Sequence, residues 1–219
     1  MGQERAMIND GFQDAEGLLS QQPEFGMTNT KPIAYRLAGH DNKGHFFEDC
    51  PDGTLCPACK NCVDWSYVPT KISLPRSSRY DVSATYDNRI LWSTRALEAI
   101  LELKLVDPTQ VSKITTGYFD VFYFVPSQTV PFDVTRSRTK IARDCEVCGK
   151  PRDVSGSTPT FLSCQELPGR GIFRTDLAFG SGQERFPLLV ADLLSAQALR
   201  EWHFRGLTFF ECNFDPSSD

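Results

Sequence analysis

Eight cysteines are the residues of this chain best equipped for chemistry, and their spacing is uneven. Four form two pairs, Cys56-Pro57-Ala58-Cys59 and Cys145-Glu146-Val147-Cys148, the second followed by Gly149. Two intervening residues let a tight turn aim both sulfurs at one ion while the turn's amides hydrogen-bond the thiolates. Gly149 supplies the positive φ that such a turn favours. Two of these turns complete a tetrahedral four-thiolate site, and zinc is favoured over iron because nothing else in the sequence suggests electron transfer. The expected ligands are Cys56, Cys59, Cys145 and Cys148, around one Zn2+.

Other readings stay open at this point. The two pairs are separated by 85 residues, whereas compact zinc ribbons place theirs within roughly 15 to 20, so everything between them must be an excursion. Cys62 lies three residues beyond Cys59, so CPACKNC contains an overlapping second pair; Cys62 or Cys50 could replace an expected ligand. A redox dithiol, disulfides or buried inert thiols are the alternatives to a metal. Cys50, Cys164 and Cys212 suit small buried hydrophobes better than ligands. The three histidines fit no standard site: His40 and His45 fall in a loop, and His203 in an amphipathic helix.

No H-E-x-x-H, G-x-S-x-G, P-loop or G-x-G-x-x-G occurs, and no carboxylate spacing singles out an acid/base pair. Catalysis is not expected. Arg136, Arg138 and Lys140 alternate and would share one strand face, with Arg143, Lys150 and Arg152 around the second pair. That cluster could grip phosphates, but a solvated face is the simpler reading because the chain as a whole carries a net charge of -5.

The elements that must position these residues follow from pattern. With 219 residues, 40% hydrophobic and 23% charged, the chain can bury a core without a disulfide framework. Residues 1–31 are polar and carry five acids against two bases, which reads as a flexible N-terminal extension ahead of a single domain at 32–219. Ile33 to Leu37 suits a first strand, and Gly39 to Asp64 has no helix or strand period, so something besides a core must order it. Leu97, Ile100, Leu101 and Leu105 predict a helix over Trp92 to Leu105, capped by Ser93 or Thr94 and stopped by Asp107-Pro108. The run from Ile114 to Val125 predicts one buried strand, and Val130 to Thr139 a shorter one. Strands at Ile172 to Phe179 and Phe186 to Val190 precede a second helix over Asp192 to Phe204, with Gly206 as its C-cap, and a last strand from Leu207. Gly180-Ser181-Gly182 reads as a turn. The fold class is α+β, mainly antiparallel strands with two principal helices and a four-cysteine knuckle pair. The two strand-helix-strand units are more simply two ordinary units than a repeat.

No apolar run reaches the roughly 20 residues a spanning helix needs, and no secretory signal or myristoylation motif is apparent, so a cytoplasmic location is expected.

The layout resembles the double-CXXCG motif proteins of myxobacteria, some of which are immunity proteins. Tyr35-Arg36-Leu37 is similar to their opening strand, Cys56-Pro57-Ala58-Cys59 and Cys145 to Gly149 to their two knuckles, and Phe186 to Cys212 to their closing segment. Lys60 stands where their motif has Gly, and Cys62 is extra. The resemblance implies a non-enzymatic bacterial protein that binds and neutralises a cognate toxin by stoichiometric occlusion. A zinc-ribbon nucleic-acid binder and a thiol redox protein are the alternatives.

Overall fold

The computed structural model describes residues 31–216; the extension expected at 1–31 lies outside the described residues except for Lys31. In chain order the elements are β1 (Ala34–Asp41), β2 (Val82–Ala84), β3 (Ile90–Ser93), α1 (Thr94–Glu102), β4 (Ser112–Thr115), β5 (Asp120–Tyr123), β6 (Thr129–Val130), β7 (Lys140–Ile141), β8 (Asp153–Ser155), β9 (Thr160–Phe161), β10 (Ile172–Ser181), β11 (Phe186–Asp192), α2 (Leu193–Glu201) and β12 (Leu207–Asn213). The fold is α+β, with a mostly antiparallel mixed sheet ordered β4-β5-β3-β2-β1-β11-β10-β8-β7; β12 joins β1 to β9, and β6 pairs with β10.

β1 is the hub of this sheet. It pairs antiparallel with β11 from Ala34 to Leu37 and with β12 from Ala34 to Gly39, and its last residues, His40 and Asp41, run parallel to β2. Side chains of a strand alternate between faces, and here both faces are covered. In β11, Leu189 and Ala191 enter one hydrophobic cluster with Trp92, Ile100 and Leu199, while Val190 between them enters a second with Val130, Phe173 and Cys212. That is why Phe186 to Ala191 reads as an almost unbroken apolar run.

The two helices start where capping chemistry places them. Ser93 Oγ accepts from Ala96 N at 3.2 Å to open α1, and Asp192 Oδ1 accepts from Leu194 N and Ser195 N at 2.9 and 3.1 Å to open α2. Three expectations fail on local geometry. Ile114 to Val125 is a hairpin of β4 and β5, in which Thr116 N and Oγ1 both donate to Phe119 O, at 3.0 and 2.5 Å, and Gly117 lies in the turn. Val130 to Thr139 is not a strand, because after β6 the chain turns over Val134 to Arg138 and Arg138 takes a φ of 54°. Gly206 does not cap α2; the left-handed residue after the helix is His203 with φ 50°, and Gly206, with φ 90°, turns into β12 where a Cβ would lie 2.3 Å from Val82 O.

Between β1 and β2 the only regular element is a short 3-10 turn at Arg76–Ser78. Fully buried Asp87 orders the start of this stretch: its carboxylate accepts from Phe46 N at 3.0 and 2.9 Å and from Phe47 N at 3.0 Å. Arg89, 1% exposed, donates to Asp87 O at 2.7 Å and lies over the rings of Phe47 and Phe186. The later part of the stretch is held by Ile72 N donating to Thr115 O and Thr115 N to Thr70 O, both at 3.0 Å, and by Ser78 Oγ donating to Asn42 O at 2.9 Å; the part between is ordered at the first cysteine turn.

Candidate metal centre

The two cysteine turns have the same backbone. In the first, Cys56 N donates to Asn61 O at 2.8 Å and Lys60 N to Cys56 O at 2.9 Å; in the second, Cys145 N donates to Lys150 O and Gly149 N to Cys145 O, both at 2.8 Å. Each turn is closed by an antiparallel bridge, Leu55 with Cys62 and Asp144 with Pro151. Both need a left-handed residue after the second cysteine, and Lys60 takes that conformation with φ 62° just as Gly149 does with φ 67°.

Long-range hydrogen bonds hold the turns together. Asn61 Nδ2 and Arg185 Nη1 donate to Pro151 O at 2.9 and 3.1 Å, and Lys150 Nζ donates to Cys62 O at 2.9 Å. Cys56, Cys59, Cys145 and Cys148 thereby bring their sulfurs within 4.8 Å of one another, and the group could hold a metal ion. Cys56 Sγ lies 3.9 Å from Cys145 Sγ and Cys59 Sγ 3.5 Å from Cys148 Sγ. A tetrahedron with metal–sulfur bonds of about 2.3 Å has edges of about 3.8 Å; these two separations are close to that edge, and the others stay within 4.8 Å.

Electrostatics favours a cation here. The amides of Cys148 and Val147 lower the Cys145 thiol to about 6, and those of Cys59 and Ala58 lower Cys56. Burial pushes Cys59 the other way, to about 12. Four adjacent sulfurs cannot all ionise without a positive charge among them. A metal ion would supply it and take all four as thiolates.

All eight cysteines are free, and sulfurs 3.5 Å or more apart are well beyond the disulfide bond of about 2.05 Å. The two short sulfur contacts run between the turns, whereas a redox Cys-x-x-Cys joins its own two sulfurs. Cys62 is outside the group: buried, it donates to Asp64 O at 3.2 Å. Cys212 is buried in the second hydrophobic cluster, and Cys50 and Cys164 are half-buried. His40 packs on Tyr80 and His45 on Tyr86, and His203 is exposed.

The basic stripe read from the sequence does not form. Arg136 and Arg138 lie in the turn before β7, away from any shared strand face, and Arg136 pairs with Asp133 at 3.4 Å and Asp215 at 3.8 Å. Arg143 and Arg152 remain exposed near the second turn. Sequence reasoning missed Asn61 and Arg185, which clamp the turns; only the tertiary fold joins them to Pro151, so no local signal marks them. Lys60 was legible by alignment of the two turns.

Among the described residues no helix is long and apolar enough to cross a membrane. Compared with known proteins, the chain matches no family model and no curated protein.

Proposed function

We propose that this chain is a zinc-stapled binding protein of the immunity type, which holds one Zn2+ on Cys56, Cys59, Cys145 and Cys148 and neutralises a cognate protein toxin by one-to-one occlusion. The observation that carries the metal part is the agreement between the 3.5 and 3.9 Å sulfur separations and the edge of about 3.8 Å of a zinc tetrathiolate. Four thiolates leave no open coordination position for water or substrate, so the work of the ion is structural.

The partner part rests on the layout of opening strand, two knuckles and closing segment. Its physical requirement is a standard interface of roughly 1,600 Å² with aromatic or Arg anchors. Tyr86 and Tyr118 are 59% and 65% exposed and suit that role. Co-expression of the chain with the product of its neighbouring gene tests the reading. The expected result is survival together with a one-to-one complex. Rescue at substoichiometric protein with chemically altered toxin would instead reveal an enzyme, and absence of both rescue and complex defeats the immunity reading. Binding to DNA or RNA that weakens steeply with salt would favour a zinc-ribbon nucleic-acid binder.

A further inference from the structure

A cavity of about 240 Å³ adjoins the metal centre, walled by Asn61 and Trp65 from the first turn region, Lys150 from the second, Arg174 and Asp176 from β10, and Arg185. Three cations face one carboxylate. Asp176 is occupied in part, since its Oδ1 accepts from Phe132 N at 2.9 Å. Arg185 is also occupied, donating through Nε to Ala178 O at 3.3 Å and through Nη1 to Pro151 O. Lys150 gives one hydrogen bond to Cys62 O and lies over the Trp65 ring, which leaves an ammonium with further donors.

Two polar atoms of this wall are buried without a partner: Arg174 Nε, a donor, and Asn61 Oδ1, an acceptor. Asn61 is 1% exposed. Its amide orientation is fixed because Nδ2 is committed to Pro151 O, and a flip would set two oxygens face to face. An unmet buried donor or acceptor is costly, and native structures supply a partner for most of them. A water meets both hydrogen bonds but not the charge of a wall that sets Arg174, Lys150 and Arg185 against Asp176; a single partner that meets the charge as well is anionic and carries a proton for Asn61 Oδ1.

We propose that this cavity is a binding site for a phosphate-class oxyanion, held by Arg174 and Lys150 and recognised through its O–H by Asn61. The inference is independent of the toxin reading. Sulfate, which carries no proton at neutral pH, lacks the donor for Asn61 and binds more weakly.

Calorimetric titration of the zinc-loaded chain at constant ionic strength tests this, with inorganic phosphate, glycerol 3-phosphate and sulfate as probes and chloride as background. Zinc content measured on the same samples separates loss of the metal centre from loss of the anion. The expected result is saturable one-to-one phosphate binding that weakens roughly tenfold or more in Arg174→Gln and also weakens in Lys150→Met, a variant at the opposite wall that serves if Arg174→Gln fails to fold. Tighter binding of glycerol 3-phosphate that strengthens as pH falls toward its second pKa of about 6 would assign the site to a protonated phosphate monoester, and tighter inorganic phosphate to the free ion. Absence of saturable binding to the folded chain, or binding that both variants retain in full, overturns the proposal. Sulfate binding as tightly as phosphate overturns the role given to Asn61.

Discussion

Lys60 and Gly149 occupy equivalent positions in two turns of identical hydrogen bonding, yet only one of them is the residue that a positive φ favours. For a residue with a Cβ the left-handed region costs roughly 1–2 kcal/mol. Lys60→Gly is therefore expected to leave metal binding intact and to stabilise the chain by up to about 1 kcal/mol, while Gly149→Ala costs about 1 kcal/mol; thermal melts of both variants measure it. A Cβ at Gly149 meets nothing within 4 Å, so any larger loss would show that the turn tolerates no backbone adjustment. Cys212 makes the opposite case, a cysteine with no ligand role. Burial pushes its thiol up to about 12, against about 8.5 in an unfolded chain. A group whose folded pKa is raised gives its full contribution below the unfolded value and loses it as pH rises toward the folded one. Stability is thus expected to fall between about pH 8.5 and 12, and iodoacetamide at pH 8 should leave Cys212 unmodified until the chain is denatured. Ready alkylation of Cys212 in the native protein would contradict its burial.

At the scale of elements, the unit of β3 with α1 and the unit of β11 with α2 share one local form. Each strand ends on the N-cap of a nine-residue helix, and each helix is followed within two residues by a left-handed residue, Lys104 with φ 55° or His203 with φ 50°. The caps are not equally burdened. Ser93 serves Ala96 N alone within α1, whereas Asp192 serves Leu194 N, Ser195 N, the Ser195 hydroxyl and, at 2.8 Å, Gly171 N from the start of β10. Ser93→Ala should cost about 1 kcal/mol and Asp192→Ala about 2 kcal/mol or more, because the second also strips the shorter of two hydrogen bonds from the buried Gly171 amide, whose other acceptor is Ser195 Oγ at 3.1 Å; urea denaturation distinguishes them, and equal losses would refute the assignment of the extra cost to Gly171. These helix starts were legible in the sequence because Ser93 and Asp192 sit directly before helical periodicity. The β4–β5 hairpin was not, because its apolar residues continue through the turn and outweigh Gly117 as a signal. The end of β1 was not legible either, since His40 and Asp41 are polar and join β2 through backbone pairing alone. The basic stripe failed for a related reason: alternation of Arg136, Arg138 and Lys140 has meaning only on a strand, and the chain turns there.

For the whole molecule, the separation of the two cysteine pairs turns from an objection into a consequence. In the sequence, 85 intervening residues argue against a compact ribbon, and nothing local says that the two turns meet. In the fold the interval holds β2 to β7 and α1, part of the same sheet, and the cysteines that meet across it, Cys56 with Cys145 and Cys59 with Cys148, are 89 positions apart. An ion bound to all four therefore cross-links the chain around a long loop. By the loop-entropy relation used for disulfides, closing a loop of that length removes about 4–5 kcal/mol of conformational freedom from the unfolded state. Against a typical total of 5–15 kcal/mol this is a large share. The two hydrophobic clusters are built mainly from the sheet and helices, so they give the chain without metal a core to retain. Chelation, or Cys148→Ser, is accordingly expected to lower the melting temperature by roughly 10 to 20 °C, at 2–4 °C per kcal/mol for a chain of this size, while the metal-loaded protein contains about one zinc per chain by elemental analysis. Hydrogen exchange after chelation should lose protection first at Cys56, Lys60, Cys145 and Gly149, whose amides close the turns, and last in β1 and β11 at the centre of the sheet. A metal-free protein of unchanged melting temperature would show that Asn61, Arg185 and Lys150 hold the turns without an ion, and the zinc staple would have to be abandoned.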